Sequence, residues 1–215
     1  MTDLLRRFGA IGDVHAEDQL LEVVLDRLSQ EEVDRVLVVG DIADGRGDLD
    51  RTCALLDRPE VIAVAGNHDR WLLAGQLREL PNATPVEALS ERARAYLAGL
   101  PRTVRLDTLA GPLLLCHGLG ENDMAKVAPD DFGYALSSNV DLQQLQKSDL
   151  ALVVNGHSHR RMVRRFGPLT MINAGTLHAA DAPCFAIVDL EMMAVSFYDL
   201  DEAGVVTRSE LMPIL

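Results

Sequence analysis

The sequence predicts an α/β fold, a two-sheet β-sandwich core flanked by helices and beginning βαβαβ, as a single domain over residues 1–215. Three observations carry this prediction. In the first seventy positions, a short apolar or β-branched run ends in Gly plus a polar residue three times. The polar residues, Asp13, Asp41 and Asn67, are 28 and 26 positions apart, about the length of one βαβ repeat. Beyond residue 103 the pattern changes to closely spaced strands, which a second sheet would absorb.

The first strand is Phe8-Gly9-Ala10-Ile11, leading to Gly12-Asp13. A helix follows, with Leu20, Leu21, Val24, Leu25 and Leu28 along one face. Glu17 and Asp18 stand in its first turn, where negative charge complements the helix dipole. Val36-Leu37-Val38-Val39 runs into Gly40-Asp41, and Val61-Ile62-Ala63-Val64-Ala65 into Gly66-Asn67. Parallel pairing of these strands would bring their polar ends to one sheet edge, where α/β proteins build sites. Helices are predicted over 71–80 and 90–100, the second capped by Ser90. Strands are predicted over 103–106, 113–116, 151–154, 162–166, 169–172, 185–190 and 194–198, interrupted by a helix over 142–146. No linker, low-complexity tract or repeat divides the chain.

Composition narrows the function classes. With 48% hydrophobic and 25% charged residues, the chain is that of an ordinary folded protein, and disorder, collagen and coiled coil are excluded. The 33 acidic residues outnumber the 20 basic ones, a net charge of −13 that argues against a broad footprint on nucleic acid. One Trp, three Tyr and five Phe are too few for a base-stacking platform. Cys53, Cys116 and Cys184 form no C-x-x-C pair and read as buried thiols in a reducing compartment. The N-terminal stretch Met1-Thr2-Asp3-Leu4-Leu5-Arg6-Arg7 has no apolar run behind its arginines, and no segment reaches eighteen apolar residues. The expectation is a soluble, cytoplasmic protein with no membrane partner.

Five of the six histidines fall in loops that follow an apolar run: His15, His68, His117, His157 and His159. Each of these loops also carries a Gly, which lets backbone pack closely around a compact polar centre. Singly the signals are weak, since an Asp-x-His is more often a turn and a lone His117 a satisfied buried imidazole. The ordered set at matching strand ends is what points to chemistry. A mixture of carboxylate, amide and imidazole suits borderline divalent ions such as Mn²⁺, Zn²⁺, Fe²⁺, Co²⁺ or Ni²⁺ rather than Ca²⁺ or Mg²⁺. Seven candidate ligands, Asp13, His15, Asp41, Asn67, His117, His157 and His159, exceed what one tetrahedral ion takes. They suffice for two ions roughly 3.5 to 4 Å apart that share one carboxylate.

Asp13-Val14-His15, Gly40-Asp41, Gly66-Asn67-His68-Asp69, His117 and Gly156-His157-Ser158-His159 resemble, in order and spacing, the five blocks of the calcineurin-like metallophosphoesterase superfamily. Ile172-Asn173-Ala174-Gly175-Thr176 is similar to the Ile-Asn-Pro-Gly-Ser segment of its small bacterial and archaeal phosphodiesterase-like branch, with Ala174 in place of Pro. The resemblance implies one metal on Asp13, His15, Asp41 and His159, and another on Asp41, Asn67, His117 and His157, with Asp41 as the bridge. Mn²⁺ is the favoured ion, with Fe, Zn, Ni or Co as alternatives. It further implies in-line attack on phosphorus by a hydroxide between the ions. His68 would stabilise the transition state or protonate the leaving oxygen, with Asp69 orienting its ring. Protein phosphatases of the superfamily carry Gly-Asp-x-Val-Asp-Arg-Gly at the second block, whereas Arg46 is displaced by one residue in this chain. Asp44 stands where purple acid phosphatases need a tyrosine, which excludes their iron-tyrosinate chemistry.

Arg46 and Arg160 are the candidate contacts for a substrate phosphate. Arg160 belongs to the dense basic patch Arg160, Arg161, Arg164 and Arg165, which also fits a solvated edge that blunts strand pairing. The acidic segment 118–138, with Phe132 and Tyr134, is either a lid that selects the leaving group or a surface excursion. His178 reads as structural or surface. The implied substrate is a small phosphate ester, nucleotide-like in preference to phosphoprotein. A metal-binding scaffold that hydrolyses nothing, a protein phosphatase and a nuclease are the competing readings.

Overall fold

The computed structural model describes residues 4–214; Met1-Thr2-Asp3 of the N-terminal stretch, and residue 215, lie outside them. The opening unit is β1 (Arg7–Ile11), α1 (Asp18–Ser29), β2 (Arg35–Val38), α2 (Leu49–Leu56) and β3 (Val61–Ala63), followed by α3 (Asn67–Ala74) and α4 (Glu91–Gly99). Then come β4 (Thr103–Thr108), β5 (Gly111–Cys116), α5 (Tyr134–Ser137), α6 (Val140–Gln146) and β6 (Leu152–Asn155). The chain ends with β7 (Met162–Phe166), β8 (Leu169–Asn173), β9 (Cys184–Asp189), β10 (Ala194–Leu200) and β11 (Val206–Pro213). Among the described residues no helix is long and apolar enough to cross a membrane.

Two mixed sheets result, ordered β11-β10-β9-β1-β2-β3 and β4-β5-β6-β8-β7. β1, β2 and β3 are parallel neighbours, and so are β5, β6 and β8. The strand-rich second half is thus divided: β4 to β8 make their own sheet, whereas β9 returns to pair antiparallel with β1. Alternation along β1 and β2 sends Phe8, Ala10, Leu37 and Val39 between the sheets, against Leu113, Leu115, Leu152, Val154 and Ile172. The opposite side chains, Ile11, Val36 and Val38, pack under Leu21, Val24 and Leu28 of α1. Burying a side chain of this size contributes roughly 1.5–3 kcal/mol, so this double-faced core accounts for the strand order.

α3 and β11 differ from the sequence prediction. α3 begins at Asn67 rather than near 71, because Asp69 accepts the Gly66 N–H (2.8 Å) and so starts the helix within the Gly66-Asn67-His68-Asp69 block. It stops at Gly75, whose φ of 66° is left-handed, so residues up to 80 do not continue it. β11 has no strand signature in Val-Thr-Arg-Ser-Glu-Leu-Met-Pro; it is an exposed edge strand recruited by pairing with β10.

Candidate metal centre

Asp13 lies just beyond β1, Asp41 beyond β2 and Asn67 beyond β3, while His117 follows β5 and His157 and His159 follow β6. All are at C-terminal strand ends, so parallel pairing within each sheet collects them at one edge. Asn173-Ala174-Gly175-Thr176, beyond β8, joins the two sheets there. Thr176 Oγ1 donates to the Asp13 carbonyl (2.9 Å), Leu177 N–H does likewise (2.8 Å), and Asn173 Nδ2 donates to the Gly156 carbonyl (2.6 Å). Gly156 has to be glycine, because a Cβ there would stand 2.3 Å from Asp13 Oδ1. His15, Asp41, His157 and His159 all adopt positive φ, and this concentration of strained backbone is a feature of functional sites.

The hydrogen bonds leave a specific set of lone pairs facing inward. His157 N–H donates to Asp13 Oδ1 (3.1 Å) and His68 N–H to Asp41 Oδ1 (2.8 Å), which frees the Oδ2 atom of each aspartate. His15 Nδ1 donates to the Asp44 carbonyl (2.8 Å), and His159 Nδ1 to Asp181 Oδ2 (2.7 Å). Their Nε2 atoms, bare of protons in these tautomers, face each other at 3.0 Å, and Asp13 Oδ2 is 3.4 Å from that of His159. Asp13 Oδ2 is buried without a hydrogen-bond partner. Alongside, His117 Nδ1 donates to the Val39 carbonyl (2.9 Å) and turns Nε2 toward Asn67 Oδ1 (2.9 Å), Asp41 Oδ2 (3.3 Å) and His157 Nδ1 (3.3 Å). Lone pairs packed this closely repel unless positive charge lies among them. The donor set therefore fits cations: Asp13, His15 and His159 meet on one side, and Asp41, Asn67, His117 and His157 on the other.

The electrostatics give the same answer. Burial pushes the Asp13 carboxyl up to about 6, against the pull of His117. Burial drives His15 and His157 down to about 4, so both rings are neutral at physiological pH, the state a metal ligand needs. Burial also opposes protonation of His117, but the adjacent Asp41 carboxylate prevails and carries that ring up to about 10. Asp41 itself, despite burial, is held well below the usual carboxylate range by His117. The proton His117 holds beside Asp41 is the positive charge that a bound cation would replace.

Asp69 is not the partner of the His68 ring, which corrects the role expected for it. It accepts the backbone N–H groups of Ile42 and Ala43 (both 2.9 Å) and of Gly66, and so ties the Asp41 loop to the start of α3. Burial and the nearby Asp41 charge push its carboxyl up to about 7. His68 Nδ1 is bound instead by Asp44 Oδ2 (2.8 Å). Arg78 grips the same carboxylate with Nη1 (2.7 Å) and Nη2 (2.9 Å), and Thr84 N–H donates to it. Burial alone would lower the His68 pKa, but the Asp44 bond outweighs it and raises the ring above its ordinary value. Asp44 had figured in the sequence only as a missing tyrosine; its place in the second block, three residues after Asp41, was the available signal.

The remaining candidates fall at the rim. Arg46 is exposed, on the loop beyond Asp44. Arg160 lines an open cleft with His157, Ser158, His159 and Asp181, and its guanidinium is paired with Asp130 of the 118–138 segment. Arg164 donates to the Ala128 and Pro129 carbonyls, so this segment is drawn over the basic patch while Phe132 and Tyr134 stay exposed. His178 is no remote surface residue: its ring centroid is 5.3 Å from that of His15 and 6.1 Å from that of His159.

A family model described as the calcineurin-like phosphoesterase superfamily domain matches residues 7–193. Solved structures share the fold. A metallophosphoesterase from Sphaerobacter thermophilus superposes with a TM-score of 0.70 at 20% identity, over 92% of this chain and 88% of that one. The phosphoesterase YfcE from E. coli gives 0.57 at 15% identity, over 95% and 98%. Vps29 from Chaetomium thermophilum gives 0.59 at 19% identity, over 96% and 97%. No curated protein matches the sequence significantly.

Proposed function

The chain belongs to the calcineurin-like phosphoesterase superfamily, and from that membership and the geometry of the centre we propose that it is a binuclear metal-dependent phosphoesterase acting on a small phosphate ester, nucleotide-like in preference to phosphoprotein. The observation that carries this reading is the meeting of His15 Nε2, His159 Nε2 and the Asp13 Oδ2 that no hydrogen bond satisfies, beside the matching set around His117. Two divalent ions there, Mn²⁺ being the favoured pair, would supply an activated water and neutralise the phosphoryl oxygens.

The protein's own residues do the rest. Asp41 would be the carboxylate the two ions share. His68, its ring fixed by Asp44 and its pKa raised by that bond, donates a proton to the leaving oxygen or stabilises charge developing there. Arg78 shares the Asp44 charge and locks the carboxylate that aims the ring. Asp69 holds the loop geometry on which Asp41 depends. Arg46 and Arg160 are the basic groups available at the rim for an anionic substrate. A net charge of −13 disfavours a long nucleic acid but leaves single nucleotides and small diesters as substrates.

The test is hydrolysis of paired p-nitrophenyl mono- and diesters by metal-stripped protein reloaded with Mn²⁺, Zn²⁺, Ni²⁺ or Mg²⁺, with Asp41→Asn as control. Turnover that depends on metal and vanishes in Asp41→Asn is the expected result, and the ester that turns over assigns diesterase or monoesterase. Two bound ions without turnover of any ester would replace this reading with that of a non-catalytic scaffold.

A further inference from the structure

The rim of the centre contains a second use of the arrangement that orients His159. Asp181 Oδ2 lies 2.7 Å from His159 Nδ1 and 3.1 Å from His178 Nδ1. A carboxylate oxygen only accepts, so both rings place a hydrogen on Nδ1, and in the neutral ring the lone pair is then on Nε2. For His159 that lone pair faces His15 Nε2 and Asp13 Oδ2, inside the donor group described above. His178 shares its tautomer, its anchor and its burial, with side-chain exposure of 24% against 26% for His159. Its ring meets His15 edge-on, at an interplanar angle of 71°. A nitrogen of His159, a nitrogen of His178 and an oxygen of Asp181 all lie within 4.8 Å of one another.

The loop is fastened where such a role needs it. His178 N–H donates to Thr176 Oγ1 (2.9 Å), the same hydroxyl that donates to the Asp13 carbonyl (2.9 Å). Ala179 N–H donates to Glu17 Oε1 (3.2 Å), and Asp181 N–H closes a turn onto the His178 carbonyl (2.9 Å). His178 therefore hangs from the backbone of the first ligand of the group it faces.

We infer that His178 is an additional nitrogen ligand of the cation held by Asp13, His15, Asp41 and His159, and that Asp181 is the positioning residue that aims both His159 and His178 at it. That cation then has three imidazole donors and its neighbour two, His117 and His157. An imidazole-rich position favours Zn²⁺, Co²⁺, Ni²⁺ or Fe²⁺ over Mn²⁺, so the two positions differ in metal preference.

The inference rests on the binuclear reading of the centre, and a titration that does not depend on turnover separates the two. Metal-stripped protein is titrated with Co²⁺, read by calorimetry and visible absorption. Wild-type protein is expected to bind two ions. In His178→Ala one ion is expected to bind about 10–100-fold more weakly, with an altered Co²⁺ absorption band, while the other is unchanged. Asp181→Asn, which keeps the side chain's shape, is expected to weaken the same ion by a similar factor. Thermal melts of the metal-free variants matching wild type would show that the folds are intact. Two ions bound by both variants with wild-type affinity and spectrum would overturn the role of His178 and Asp181. Failure of wild-type protein to bind two ions would instead overturn the binuclear reading itself.

Discussion

His117 and His159 hold corresponding places in the two halves of the centre, yet the chain fixes them by opposite means. His117 emerges directly from β5, is 1% exposed, and hands its Nδ1 hydrogen to the backbone carbonyl of Val39. His159 sits on a left-handed loop residue with a quarter of its side chain exposed, and it relies on the carboxylate of Asp181. One ligand inherits its aim from the sheet, so it cannot be disturbed without disturbing the fold. The other is aimed by a replaceable side chain, which leaves that half open to tuning of ligand basicity and metal preference.

The largest effect should come from the residue that denies the comparison by belonging to both halves. Asp41→Asn removes the shared charge, and metal analysis with the ester assay should find both ions lost and activity near background. Next, His117→Ala should lose an ion and also destabilise the metal-free protein by about 3 kcal/mol or more in urea unfolding, because Asp41 and Asp13 lose a buried partner. His159→Ala should lose an ion at a stability cost under about 1 kcal/mol, because its ring and its Asp181 partner are both partly exposed. Equal costs for the two would break the distinction drawn here. His68→Ala should leave both ions in place and lower kcat by about 10² to 10⁴; metal loss equal to that of Asp41→Asn would refute its assignment as a proton donor. Smallest of all, Arg160→Ala should shift stability by less than about 0.5 kcal/mol and raise KM by no more than about fivefold, the worth of one exposed ion pair.

Much of this cluster could be read from the chain because its members are tied to strand ends, and a β-branched run closed by Gly and a polar residue is a local signal. Asp13, Asp41 and Asn67 announce themselves this way, and so do His117 and His157. The partners of those ligands do not. His68 and Asp69 are neighbours in sequence, which suggested that one orients the other. On α3, however, consecutive side chains diverge by about 100°, and Asp69 turns inward to the Asp41 loop. The true partner, Asp44, comes from 24 positions away, a contact that only the packing of the α3 start against the loop after β2 creates. His178 reads as structural or surface in the sequence for a similar reason: it follows no apolar run, and only the hydrogen bonds of Thr176 carry its loop to the site. β11 was faint because an exposed edge leaves little pattern to find.

The seam between the sheets has a consequence for how the molecule is made. Asp13 pairs with Thr176 across 163 positions, and β1 needs β9 along its free edge. Closing loops of that length is a slow, late event in folding. A chain growing from its N-terminus would thus carry Asp13, His15 and Asp41 for most of its synthesis without the histidines that complete their cluster. Ion capture would become possible only as the last strands dock. Metal uptake, followed in time during refolding, would then serve as a clock for the final assembly step, and a cell short of the right ion would meet the shortage at the end of folding rather than at its beginning.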